Sequence, residues 1–150
     1  LKPQLVIHDP DDWLARQLAD LAADSRWLVR RPRSARATLE FLSATRPTLL
    51  FARVDPHEES GDSCRTIAEA NRLNPDAAIV AVSDVKLPDA DRIAWTAVLF
   101  DLGARYVLFP PLTKPVLEDL ASGLMEACLK RVGGSDEDDD VIDLADEDDA

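Results

Sequence analysis

The feature that most limits how this chain can fold is a strand-like run held between two prolines. In Pro47-Thr48-Leu49-Leu50-Phe51-Ala52-Arg53-Val54-Asp55-Pro56, the continuous apolar stretch Leu49 to Ala52 is bounded at strand length rather than helix length. Apolar side chains on both faces suit a central strand of a parallel sheet, covered by helices on each side. In open α/β sheets, ligands and chemistry gather at the carboxyl ends of the strands. Arg53 and Asp55 stand at that end here, so an arginine occupies the most informative position in the chain.

Around this run, strand and helix signals alternate. Leu5-Val6-Ile7-His8 leads into Asp9-Pro10-Asp11-Asp12, acids placed to cap a helix that carries Leu14, Leu18, Leu21 and Ala22 on one stripe. Trp27-Leu28-Val29, flanked by Arg26 and Arg30, reads as an edge strand. Ser34 caps a second helix with Leu39, Phe41 and Leu42. A polar loop, Asp55 to Gly61, precedes a helix over 62–73 with Ile67 and Ala70 inward, and Asn74-Pro75-Asp76 is a turn. Ala77 to Ser83 is a fourth strand. A helix over 89–102 follows, with Ile93, Ala97 and Phe100 or Asp101 marking its turns and Gly103 its cap. Arg105 to Phe109 is the fifth strand. The last helix, near 115–130, carries Leu117, Leu120, Ala121, Leu124 and Cys128 on one face.

Five βα units with short buried strands imply an α/β fold, a five-stranded parallel sheet doubly wound with helices on both faces. The expected division is a domain over 1–132 and an acidic tail or linker over 133–150. The net charge of -12 belongs mostly to that tail, where residues 135–150 hold ten acids and no base. The remainder has 19 acids against 17 bases, a net of -2. That balance argues against nucleic acid as a partner of this domain, despite Arg26, Arg30, Arg31, Arg33 and Arg36. Cys64 and Cys128 lack metal-ligand spacing and read as free thiols inside helices. No stretch approaches the ~20 apolar residues of a membrane span, and no signal-peptide pattern opens the chain, so a cytoplasmic location is expected.

Other chemistries find little support. Five glycines without a G-x-x-x-x-G-K run exclude a phosphate loop of that type, and no G-x-S-x-G elbow is present. Asp55 and His57, with His8 and Asp9, read as solvated loop residues more readily than as metal ligands.

The local signatures together resemble the receiver domains of bacterial response regulators. They are Leu5-Val6-Ile7-His8-Asp9, Pro47 to Leu50, Ser83 at the end of the fourth strand, and Gly103-Ala104-Arg105-Tyr106-Val107-Leu108-Phe109-Pro110. The last is similar to the family's Gly-Ala-x-x-Tyr-x-x-Lys-Pro segment. The resemblance implies a flavodoxin-like strand order, 2-1-3-4-5. It also implies a pocket in which acids after the first strand hold Mg²⁺ and an aspartate ending the third accepts a phosphoryl group. A Ser or Thr after the fourth strand and a Lys after the fifth bind its oxygens.

Carried over by position, Asp9 keeps one acid and His8 replaces the other. Arg53 replaces the phosphoacceptor, Ser83 is kept, and Phe109 stands at the lysine. Arginine offers no lone pair to a metal and no carboxylate to phosphorylate. The resemblance therefore implies a pseudo-receiver: a non-catalytic signalling and protein-interaction module independent of phosphorylation, with no cofactor. Arg53 is expected to pair with Asp9, with Asp11 or Asp12 as further partners, and Phe109 to fill the lysine's space. Two alternatives stay open: a receiver with an unusual acceptor, and a small-ligand domain on the same sheet. Asp55 as a displaced acceptor would sit about 6–7 Å from the usual place.

The resemblance places a protein partner or a homodimer on the face formed by the fourth predicted helix, fifth strand and last helix, near Trp95 and Tyr106, with Ala94 and Ala121 as positions to test. In the tail, Val141-Ile142-Asp143-Leu144 interrupts the acids with a β-prone island of the kind that adds a strand to a sheet edge. The tail is expected to be disordered. It reads either as a solubilising linker or as a segment that docks on the arginine-rich edge.

Overall fold

A computed structural model describes residues 2–131 with their side chains. Five strands form one parallel sheet: β1 (Gln4–His8), β2 (Leu28–Arg30), β3 (Thr48–Arg53), β4 (Ala78–Val82) and β5 (Tyr106–Leu108). Their spatial order is β2-β1-β3-β4-β5, the expected doubly wound arrangement. The helices are α1 (Trp13–Gln17), α2 (Ala19–Asp24), α3 (Ala35–Leu42), α4 (Asp62–Leu73), α5 (Asp89–Leu102) and α6 (Lys114–Asp149), the last described through Arg131. The tail over 133–150, with Val141, Ile142, Asp143 and Leu144, lies outside the residues whose side chains are described.

Because strand side chains alternate, β3 feeds two cores at once. Leu49 and Phe51 pack against α1 and α6, with Leu14, Leu18, Leu117, Ala121 and Met125. Leu50 and Ala52 pack the other way, with Ile67, Ala70 and Leu99 from α4 and α5. The apolar run at the centre of the sequence is thus the centre of the sheet. Ala121 is fully buried there, so it cannot serve as an exposed test position, whereas Ala94 is exposed.

Two details differ from the sequence reading. The first helix is broken at Leu18 into α1 and α2. On α5, the residues that mark successive turns face outward: Ile93 is 64% and Phe100 48% exposed, while Leu99 is buried and Trp95 and Leu102 are half-buried. This helix is apolar around most of its circumference, so periodicity could not choose its inner face.

Gly103 caps α5 at φ 117°, where a side chain is strained. A Cβ there would also stand 2.4 Å from the Asn71 side chain of α4. Gly103→Ala is therefore expected to destabilise the fold by about 1–2 kcal/mol. A denaturant midpoint equal to wild type would show that Asn71 and the cap adjust freely.

Candidate functional site

The sheet brings Arg53 to its strand-end position by register. His8 lies opposite Ala52 and Arg53 opposite Val82, so the residues following β1 and β4 flank the arginine on both sides. Asp9 and Asp11 come from the first loop and Asp84 from the loop after β4. The guanidinium meets all three. Nη1 lies 3.5 Å from Asp9 and hydrogen-bonds Asp11. Nη2 donates to both Asp84 oxygens at 3.1 Å, and Nε to one of them at 3.3 Å. The planar fork of arginine suits this shared recognition, which a lysine could not reproduce.

Asp9 is the buried member, with no side-chain exposure, against 17% for Arg53. Its carboxylate also accepts the Asp11 N–H at 3.0 Å and the Leu14 N–H at 2.8 Å, so it holds the start of α1 as well. Burial would lower the Arg53 pKa, but the hydrogen bonds to Asp11 and Asp84, and the charges of Asp84 and Asp9, raise it above its ordinary value. Asp12, the other candidate partner, pairs instead with Arg33 at 3.4 Å. Asp84 was not anticipated. Its signal was an acid immediately after Ser83, on the strand adjoining β3, but which strands adjoin is a tertiary fact.

The other expected pocket residues do less than the resemblance implied. Ser83 is buried, but its hydroxyl accepts the Val85 N–H at 3.1 Å within its own loop. Phe109 is half-buried and belongs to neither core cluster. Counted from Gly103, the nine-residue family pattern places its lysine at Pro110 and its aromatic at Val107, one residue beyond Phe109 and Tyr106. Val107 packs into the α4–α5 core, whereas Tyr106 is 43% exposed. Neither Phe109 nor Pro110 carries charge. Lys114, the first lysine beyond this segment, pairs with Asp20 of α2.

His8 points into the α3 side. Its Nδ1 lies 2.7 Å from the Thr38 hydroxyl, which itself donates to the Ser34 carbonyl at 3.0 Å. With that proton committed, Nδ1–H donates to Thr38. Burial lowers the His8 pKa from 6.5, although Asp9 and Glu58 pull it upward. An imidazole depressed in the folded state makes stability fall as pH drops below its ordinary value, because the unfolded chain then binds the proton first. Beside His8 lies a cleft of about 360 Å³ between the starts of α3 and α4. Asp55 accepts the His57 N–H at 2.9 Å in a local turn.

Mg²⁺, which the resemblance to receiver domains implies, does not fit this donor set. The ion needs several oxygen ligands in near-octahedral geometry. Here a guanidinium, which only donates, already lies among the three carboxylates. Among the described residues, no group of three or more His, Cys, Asp and Glu could hold a metal. Nor is any helix among them long and apolar enough to cross a membrane.

A doubly wound parallel sheet of this strand order is the flavodoxin-like fold. No protein-family profile matches the chain, and no curated protein matches it. Solved structures do. The response regulator receiver domain protein (CheY-like) of Methanospirillum hungatei is 14% identical with a TM-score of 0.63, over 87% of this chain and 98% of that one. NtrX of Brucella abortus is 19% identical with a TM-score of 0.67, over 89% of this chain and 29% of that one. A Rhodopirellula baltica protein described as an adenylate cyclase is 13% identical with a TM-score of 0.66, over 91% of this chain and 96% of that one. At these identities the likeness establishes the fold.

Proposed function

We propose that this protein is a signalling module of receiver fold that works without aspartyl phosphorylation, as a pseudo-receiver that binds a protein partner. The observation that carries this reading is Arg53, whose guanidinium stands at the end of β3 and is held by Asp9, Asp11 and Asp84. A guanidinium cannot become an acyl phosphate, and its permanent charge offsets acids that would otherwise need a metal. The pocket carries a built-in cation, one guanidinium among three carboxylates, in place of a bound metal.

Incubating the full chain with acetyl phosphate and Mg²⁺, followed by intact-mass measurement, is expected to show no phosphoryl adduct. An adduct mapped to Asp9, Asp11, Asp55 or Asp84 would overturn the proposal and favour the unusual-acceptor reading.

The partner face in this proposal comprises α5, β5 and α6. Ile93, Val98, Phe100, Tyr106 and Val116 are each exposed there by more than 40%. On α5, Ile93 and Phe100, seven residues apart, share one flank of the helix, and exposed apolar side chains of this kind support an interaction surface. Trp95 contributes only its outer part, because the ring packs against the α4–α5 core. Ile93→Asp with Ala94→Glu is expected to weaken self-association at least about tenfold, near 1.4 kcal/mol, by analytical ultracentrifugation. A strictly monomeric chain whose partner binding survives both changes would remove this face from the proposal.

A further inference from the structure

The cleft beside His8 is lined by two polar side chains, His8 and Glu58, that the Arg53 pocket does not use. Its volume, about 360 Å³, lies in the range of small-molecule sites. One ring nitrogen of His8 is already committed. Nδ1 is 2.7 Å from the Thr38 hydroxyl, whose proton goes to the Ser34 carbonyl. Burial holds the imidazole pKa below 6.5, so the ring is neutral at neutral pH and Nε2 is a bare acceptor. Nε2 has no hydrogen bond among the described residues. Among those residues only the Arg30 Nε is a buried polar atom without a partner, so Nε2 stays reachable from the cleft that His8 lines.

Glu58 is tethered at two points. Its N–H donates to the Asp55 carbonyl at 3.0 Å, and its Oε2 accepts the Ser63 hydroxyl at 2.9 Å and the Ser63 N–H at 3.4 Å. Oε1 is left without a hydrogen bond among the described residues. The charge of Glu58 pulls the His8 pKa upward against burial, so carboxylate and imidazole stand close enough to sense each other. The other charges around the cleft are answered in pairs: Arg33 by Asp12, Arg65 by Asp62 and Glu69 by Arg72. Of the lining charges, Glu58 alone has no cationic partner among the described residues. Pro10, Pro32 and Leu39 add apolar surface to the same walls.

We propose that this cleft binds a primary ammonium carried on a small apolar body. Glu58 stands opposite the charge, Nε2 of His8 accepts an N–H, and Pro10, Pro32 and Leu39 meet the carbon skeleton. An ammonium brings three donors and one positive charge, so it serves both open acceptors with charge-assisted hydrogen bonds. An alcohol could donate to Nε2 but would leave the charge of Glu58 unanswered. A carboxylate would be repelled, and a quaternary ammonium has no N–H to give. The site lies between α3 and α4, and Arg53 does not line it. It therefore stands or falls independently of whether the Arg53 pocket accepts phosphate and of the α5–β5–α6 face.

The test is an NMR titration of the full, ¹⁵N-labelled chain at neutral pH with benzylamine, benzyl alcohol and benzoate. Benzylamine is expected to shift the amides of His8, Ser34, Glu58 and Ser63 saturably, and the alcohol and the acid are not. Glu58→Gln keeps an oxygen for Ser63 and removes only the charge, so it should weaken benzylamine at least about tenfold. Ala35→Trp, at an exposed position on the cleft wall, should block the site by bulk. Unmoved Leu50 and Ile79 amides would show that both variants keep the core. Nα-acetyl-lysine methylamide, titrated alongside, separates two sources of the ammonium. Tighter binding than benzylamine assigns it to a lysine side chain and weaker binding to a free amine, and either result upholds the site. Absence of any saturable shift with benzylamine would overturn the proposal. So would equal shifts with benzyl alcohol, shifts confined to residues outside the cleft, or benzylamine binding unchanged in Glu58→Gln.

Discussion

Arg53→Ala is expected to lower the unfolding free energy by about 2–3 kcal/mol, measured by denaturant titration at neutral pH. The variant keeps Asp9, Asp11 and Asp84 converging on a site that has lost its cation. Asp9 suffers most, because its side chain is fully buried. Asp11 and Asp84 retain 68% and 33% exposure and can turn toward water, which keeps the estimate below that for a wholly buried pair. Arg53→Lys should recover only part of the loss, because a point charge cannot serve Asp84 with two donors while reaching Asp9. A midpoint unchanged in Arg53→Ala would mean that the three carboxylates are stable without the arginine, and the reading of Arg53 as the pocket's built-in cation would fail with it.

Phe51→Ala is expected to cost about 3–5 kcal/mol, the usual range for deleting a buried aromatic side chain. Phe51 sits at the middle of β3, opposite Ile7 and Val80, fully enclosed beneath α1 and α6. Strands on both sides limit how far the cavity can collapse. The informative comparison is Phe100→Ala, where the same deletion on the exposed side of α5 should leave stability within about 0.5 kcal/mol of wild type. Equal losses at the two positions would show that α5 turns Phe100 toward the core. Both variants can be read from one set of unfolding curves.

Much of the fold was legible because its signals are local. The run Leu49 to Ala52 between two prolines is apolar on both faces, so its central place in a parallel sheet follows from composition and length. Ser34 as a cap and Gly103 as a left-handed terminator also depend on a few neighbouring atoms, and both are observed. The exposed stripe on α5 was not legible. Residues 89–102 are apolar in several directions, and only the placement of α4 and β5 decides which direction is inside.

The pocket divides in the same way. The sequence alone determined that an arginine ends the third strand, that Asp9 follows the first, and that no lysine stands within the fifth-strand segment. Side-chain identity suffices there, because a guanidinium cannot do the chemistry of a carboxylate or hold a metal. Only the tertiary structure decided which acids hold Arg53. Asp12 was as good a candidate as Asp11 by position, yet it adopts φ 58° and faces Arg33. Asp84, 31 residues from Arg53 along the chain, becomes its bidentate partner because β4 pairs with β3. Charge pairing is a matter of a few ångströms, and distances of that kind between remote segments are set by strand register, which no single segment encodes.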